Sequence, residues 1–371
     1  MQIQEVSTKS QLKQFIHFPF QLYGDHPCWI PPLNRAELAS LTPEKNPAFE
    51  HSEVQLFTAW KDGKMVGRIA GIINEMETEH LGEKHARFGW IEFVDDLTVS
   101  GALLGAVENW AKQRQAILLK GPYGFNQLDK NGTLIYGFDT LGTANTIFNF
   151  EYYPRHFEQH GYEKDLEWVE VDLKMPDHVP EKFVKFTDLA RQRYGMQVFQ
   201  PRTKDDVSRF GKQMFDLMME TYRELPGFVP ISKKQRIAYT ERYLRLLKLD
   251  YVAITLDEAG EAIGFGVAMP SLSKALQKAS GKLFPFGFLH LKAALRKNDT
   301  ANLSLIGVKE EWRKRGAHGV VFANIGQAFV REGVSRVQIN PMLEFNIHVL
   351  GLWKEFEHEI YKRRRTFKKA L

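Results

Sequence analysis

Apolar and polar positions along the chain follow two rhythms, a period of two for strands and about 3.6 for helices. Residues 2–6 read as a short strand and 10–23 as a helix, after which Pro27, Pro31 and Pro32 break the pattern. Residues 54–61 and 65–74 flank Asp62-Gly63, a hairpin turn pair, and 87–94 continues the sheet. Leu97, Leu103, Leu104, Val107, Trp110 and Ala111 have the spacing of a helix over 97–114. A strand at 116–120, a helix at 153–160 closed by Gly161, and a strand at 168–173 complete the first half.

Met175-Pro176-Asp177-His178-Val179-Pro180 predicts a linker, and beyond it much of the same order recurs. A helix is expected at 205–222, strands at 251–256 and 262–269 around a turn, and a strand at 302–308. A helix at 317–331 capped by Gly333, a strand at 334–339, a helix at 346–356 and a strand at 360–367 follow. The halves share an order of elements rather than of residues. That favours two domains, 1–175 and 176–371, each a mixed, mostly antiparallel sheet flanked by helices, within the α/β (α+β) class. A length of 371 residues, more than one core usually organises, points the same way.

Composition narrows the chemistry. The lone Cys28 excludes an intrachain disulfide, and the histidines lack metal-ligand spacing; His156 and His160 stand one helical turn apart with no third ligand, so no metal site is expected. No secretory signal is visible and no apolar run is long enough to span a membrane, so a cytoplasmic protein is the expectation. The net charge of +5 owes much to Lys362-Arg363-Arg364-Arg365 and Lys368-Lys369. These read as solvated residues of a terminal strand. Without interleaved aromatic side chains they argue against a nucleic-acid partner.

The most informative stretch is 303–319, where an apolar strand runs into a basic, glycine-bearing turn that opens a helix. Main-chain amides at a helix start favour an anion, Gly316 and Gly319 leave room for one, and Arg313 and Arg315 add charge. Val308 followed by Arg313-Lys314-Arg315-Gly316 resembles the pyrophosphate-binding motif of the GNAT superfamily of acyl-CoA N-acyltransferases. The resemblance implies two tandem GNAT-like domains. It also implies acetyl-CoA or another acyl-CoA held by Val308, Arg313, Arg315, Gly316, Ala317, His318, Gly319 and Asn346, with the Val308 amide polarising the thioester.

Two departures stand out. His318 replaces a small residue, and the count from Asn346 that reaches an acid Tyr in the family reaches Trp353 here. In the first half, residues 152–162 resemble the family's terminal helix, but Asp95-Asp96 stand where a pyrophosphate loop would be, so that domain is expected to lack the cofactor.

An amine acceptor, a small molecule or a peptide, needs a proton acceptor, and Glu344 after the fifth strand is the candidate. Asn126 and Tyr136, in and after the loop that begins Gly121-Pro122, are the candidate acceptor-site residues. An aromatic insertion at 283–295 borders the same region and reads as a lid, an acceptor pocket, interdomain packing or a membrane-surface helix. The expected activity is N-acyl transfer from an acyl-CoA to an amine. The alternatives are a catalytically silent scaffold of the same fold and an aminoacyl transferase using charged tRNA.

Overall fold

The computed structural model describes residues 1–244, 246–346 and 350–371, without the side chains of 204, 208 and 244. The first half contains β1 (Gln2–Glu5), α1 (Lys9–Tyr23), α2 (Asn34–Ser40), β2 (Ser52–Lys61), β3 (Lys64–Asn74), α3 (Glu75–Leu81) and β4 (His85–Phe93). It continues with α4 (Leu97–Gln113), β5 (Leu118–Gly121), β6 (Thr133–Tyr136), α5 (Tyr152–Gln159) and β7 (Glu163–Lys174). The second half begins with α6 (Glu181–Arg193), β8 (Gln197–Phe199), α7 (Lys204–Tyr222), α8 (Lys233–Leu244), β9 (Val252–Leu256), β10 (Ala262–Pro270), α9 (Ser273–Ala279) and α10 (Gly287–Arg296). It ends with β11 (Thr300–Val308), α11 (Glu310–Arg313), α12 (Ala317–Glu332), β12 (Arg336–Leu343) and β13 (His358–Ala370).

Periodicity found the long elements and missed those with weak apolar faces. α6 and α8 were not expected; each is rich in charge and buries few side chains. Of the helix expected over 346–356, residues 347–349, with His348, lie outside the described residues, and Gly351–Trp353 forms a 3-10 turn.

In each half, an antiparallel meander is followed by a parallel pair joined through a helix. β2–β3–β4 leads through α4 to β5, and β9–β10–β11 leads through α12 to β12. α4 buries Val99, Leu103, Leu104, Val107 and Trp110 against the first sheet, and α12 buries Val321, Phe322, Ile325 and Phe329 against the second. Each buried aliphatic or aromatic side chain is worth about 1.5–3 kcal/mol, so these two helices fasten the sheets.

The halves join through their terminal strands. The sheet order is β1-β2-β3-β4-β5-β13-β7-β12-β11-β10-β9-β8, with β6 also on β13. β13, from the end of the chain, pairs antiparallel with β5 of the first half, and β7, from the first half, pairs with β12 of the second. The basic run expected in solvent therefore lies in mid-sheet: Lys362 and Arg364 are each 1% exposed. The correction has a physical cause, because β7 supplies matching carboxylates. Arg364 Nε meets Glu170 at 2.5 Å, and Arg363 and Arg365 meet Glu167 at 3.2 and 3.0 Å.

Candidate functional site

The parallel pairs of both halves part midway, and a cavity opens at each fork. β11 and β12 pair from Thr300↔Arg336 to Leu303↔Ile339 and then separate. At that point β11 bulges, because Val267 faces Leu305 and Ala268 faces Leu303, so Ser304 has no opposite number. A cavity of about 320 Å³ occupies the fork, lined by Ser304–Ile306 and Asn340–Leu343 and by Met214, Phe215, Leu247, Val267, Met269 and Asn346, among others. Its wall is mainly apolar. Ser304 Oγ and Asn340 Oδ1 are buried in it with no partner, and Tyr222 Oη donates to Ile306 O at 3.0 Å. Buried polar atoms without a protein partner in an apolar fork are ready to meet a polar group of a ligand.

The fork of the first half is tighter and more polar. β4 and β5 pair from His85↔Leu118 to Arg87↔Lys120, Tyr123 N adds a bond to Phe88 O at 2.8 Å, and then the strands part. β4 bulges at Trp90, whose φ is +45°, a left-handed conformation costly for a large side chain. Gly89 is required here: a Cβ would come within 2.2 Å of Tyr123 O. The second cavity, about 190 Å³, is lined by Gly89–Glu92, Pro122–Gly124, Trp29, Tyr153 and residues 142–149. Charged groups crowd it: Arg68, Lys130, Arg242, Lys362 and Arg364 against Glu37, Glu92 and Asp129. Arg68 pairs with Glu92 at 2.5 Å, whereas Lys362 Nζ donates to Gly137 O. Burial, reinforced by Arg364, brings the Lys362 ammonium down to about 8.

The two cavities share a wall. Tyr123, Leu128, Asp129, Asn145, Thr146 and Tyr243 line both. Asp129 Oδ2 accepts from Phe125 N at 2.9 Å and Asn126 N at 3.3 Å. Burial raises the Asp129 carboxyl above its ordinary value, although the nearby Arg242 and these amides work against the rise.

The expected residues distribute unevenly around these forks. Asn346 lines the larger cavity, whereas Val308 is the last residue of β11, opposite Gly264, and lies in the wall of neither. The bulge that opens the fork is at Ser304, four residues earlier. Gly316 begins α12 with φ +82°, and no side chain caps that helix. The Gly316 and Gly319 faces lie against α6: a Cβ on Gly316 would sit 3.3 Å from Phe186 and one on Gly319 3.1 Å from Thr187. Ala317 and His318 are buried within α12. Arg313 Nε donates to Val308 O at 3.1 Å, and the Arg315 guanidinium lies over Trp312. The room those glycines were expected to leave for a diphosphate is thus taken up by α6, because Phe186, Thr187 and Ala190 pack there. What the helix start keeps is the lack of a side-chain cap and the preceding cations Arg313, Lys314 and Arg315, which favour an anion. The matching helix start in the first half is closed by its own carboxylate: Asp96 caps α4 through Thr98 N and pairs with Lys61 at 2.8 Å.

Glu344 pairs with Lys164 at 2.5 Å and lines neither cavity. Asn126 is buried, and its side chain ties the loop to α8 through Tyr239 Oη at 2.8 Å. Tyr136 is exposed on β6. Trp353 fills the core against Phe322. His156 and His160 both lie 2.9 Å from Ser100 Oγ, and no group that could hold a metal occurs among the described residues. Ser304, Asn340 and Asp129 escaped sequence reasoning. The visible signals were a serine inside an apolar strand and an Asn-Pro pair at a strand end.

One continuous mixed sheet, forked once in each half of the chain, has the tandem GNAT fold. The tandem GNAT protein from the clavulanic acid biosynthesis pathway superposes with a TM-score of 0.55 at 12% identity, covering 100% of this chain and 98% of that one. No protein-family model matches the chain. Among curated proteins, Protein YghO of Escherichia coli (strain K12) is 31% identical over 380 residues, 98% of this chain and 94% of its own length. The chain therefore belongs to the family of Protein YghO. The Bacterial ceramide synthase of Caulobacter vibrioides (strain NA1000 / CB15N) is 29% identical over 382 residues, covering 99% and 96%.

Proposed function

We propose that the chain is an N-acyltransferase that moves an acyl group from a CoA thioester to a long-chain amine. The observation that carries this reading is the fork of β11 and β12, with an apolar cavity behind it and unpaired Ser304 Oγ and Asn340 Oδ1 at its edge. Met214, Phe215, Leu247, Val267, Leu305 and Met342 suit an alkyl chain longer than acetyl. The name of the Caulobacter relative supports the same class, since a ceramide is an amide of a fatty acid with a long-chain amino alcohol.

Acyl-CoA supplies the activated acyl group, and its diphosphate would lie at the start of α12, near Arg313 and Arg315. The amine would enter through the charged cavity of the first half. There the surplus of cations disfavours an ammonium and so favours the free amine that must attack. Its nitrogen bonds to the thioester carbon, the C–S bond breaks, the thiolate leaves, and the proton lost by nitrogen passes to a base. Asp129, in the wall common to both cavities and raised by burial, is the proposed base.

The purified chain would be given acyl-CoAs of increasing length with a long-chain amino alcohol, reading thiol release and amide by mass spectrometry. Amide formation that improves with chain length is expected. Arg313→Glu should weaken acyl-CoA binding about tenfold or more by calorimetry, as loss of a charge-assisted phosphate contact would. Neither thiol release nor binding heat with any acyl-CoA would return the protein to the scaffold reading.

A further inference from the structure

The insertion between β10 and β11 takes no part in either fork, yet it presents the most exposed aromatic side chains of the protein. Phe284 and Phe286 are 73% and 68% exposed, and Phe288 and Leu289 stand beside them. The rings of Phe284 and Phe288 are 5.6 Å apart, so they form one patch. Of α10 only Gly287 is buried. A soluble surface does not ordinarily leave a phenylalanine cluster in water without a use for it.

The charge carried by the insertion itself has one sign. Between Glu261 and Asp299 the chain carries no carboxylate, but it carries Lys274, Lys278, Lys282, Lys292, Arg296 and Lys297. All six are exposed. Exposed aromatic and leucine side chains on a segment whose only charges are cations match a surface that is anionic outside and apolar just beneath, which describes a bilayer of acidic phospholipid. An acidic protein partner would satisfy the lysines but leave the phenylalanines without an apolar layer to enter.

The insertion is also fastened to the wall of the charged cavity. Ser273 Oγ donates to Gly142 O at 2.9 Å, and Gln277 Nε2 donates to Pro27 O and Trp29 O at 2.7 and 3.0 Å. Gly142 and Trp29 line that cavity. No helix among the described residues is long and apolar enough to cross a membrane, so the contact would be with one face.

We propose that residues 282–297 dock the protein on an anionic lipid bilayer, with Phe284, Phe286, Phe288 and Leu289 entering the headgroup–acyl boundary and the flanking lysines and arginine facing lipid phosphates. The docking stands apart from the transferase reading. The wall to which the insertion is fastened is the one a lipid amine would pass on leaving the bilayer.

Flotation of the full chain with vesicles tests it without any acyl donor or acceptor. Vesicles of phosphatidylcholine with about a third phosphatidylglycerol should carry the protein upward, and phosphatidylcholine alone should carry at least roughly tenfold less. Phe284→Ser with Phe286→Ser, and separately Lys282→Glu with Lys292→Glu, should each cut flotation about tenfold while circular dichroism stays unchanged. Absence of flotation on any vesicle, or flotation that both variants leave intact, overturns the proposal. So does a wild-type dimer in sedimentation that the phenylalanine variant splits, with nothing floating, since a second copy would then cover the patch. A chain that floats but forms no amide would fail the transferase reading and keep this one.

Discussion

Asp129 is one carboxylate in a loop, yet it faces both cavities because Phe125 N and Asn126 N hold it and Asn126 in turn is tied to Tyr239. Its replacement by Asn keeps the volume and removes the proton acceptor. We expect Asp129→Asn to lower kcat of amide formation by about 100-fold with little change in KM, the signature of a general base. A raised KM with unaltered kcat would make Asp129 a part of the wall and no more. At this scale the sequence offers something to read where residues form a consecutive motif, as in Arg313–Gly316. It was unreadable at Ser304 and Asn340, whose meaning depends on which strand stops pairing where.

Single elements are joined by buried charge as much as by apolar contact. Glu77 on α3 receives both Arg87 of β4, at 2.6 Å, and Lys120 of β5, at 2.9 Å. Burial would raise the Glu77 carboxyl, but the charges and hydrogen bonds of Arg87 and Lys120 prevail and hold it at about 2. A carboxyl depressed in the folded state stabilises it above the unfolded value of 4.5, and that contribution fades as pH falls toward 2. The window is worth about 3 kcal/mol by linkage. Denaturant titrations of the wild type should show this loss between about pH 4.5 and 2. Glu77→Gln should be less stable at neutral pH by about 3–5 kcal/mol, because Arg87 is left buried beside a neutral amide. Equal stabilities for the two proteins at neutral pH would remove the network from the account. The same element scale explains the missed α6 and α8. Their faces bury little, so no apolar stripe announces them, and α6 is fixed by the glycines of α12 that sequence reasoning assigned only to a phosphate.

For the molecule as a whole, the order of elements in each half was legible and the partnership of the terminal strands was not. Periodicity reports which residues share a face, not which strand lies alongside. The clue was complementary rather than periodic: Glu163, Glu167, Glu170 and Asp172 on one strand answer the cations of 362–368 and Arg336 on its neighbours. Because β13 sits between β5 and β7, the two halves should melt together. Deleting residues 358–371 should abolish the cooperative transition of the first half as well as the second, seen as loss of the near-ultraviolet signal of Trp110 and Tyr153. A first half that still melts sharply without β13 would show that the shared strand is dispensable.

The placement of β13 also bears on how the polypeptide is made. A ribosome delivers β5 and β7 long before it delivers the strand that belongs between them. Until the codons of β13 have been read, both strands keep an open edge and Glu167 and Glu170 wait without their arginines. Completion of the first half is thereby postponed until β13 has been made, and a nascent chain stalled before Tyr361 would be the form most in need of a chaperone.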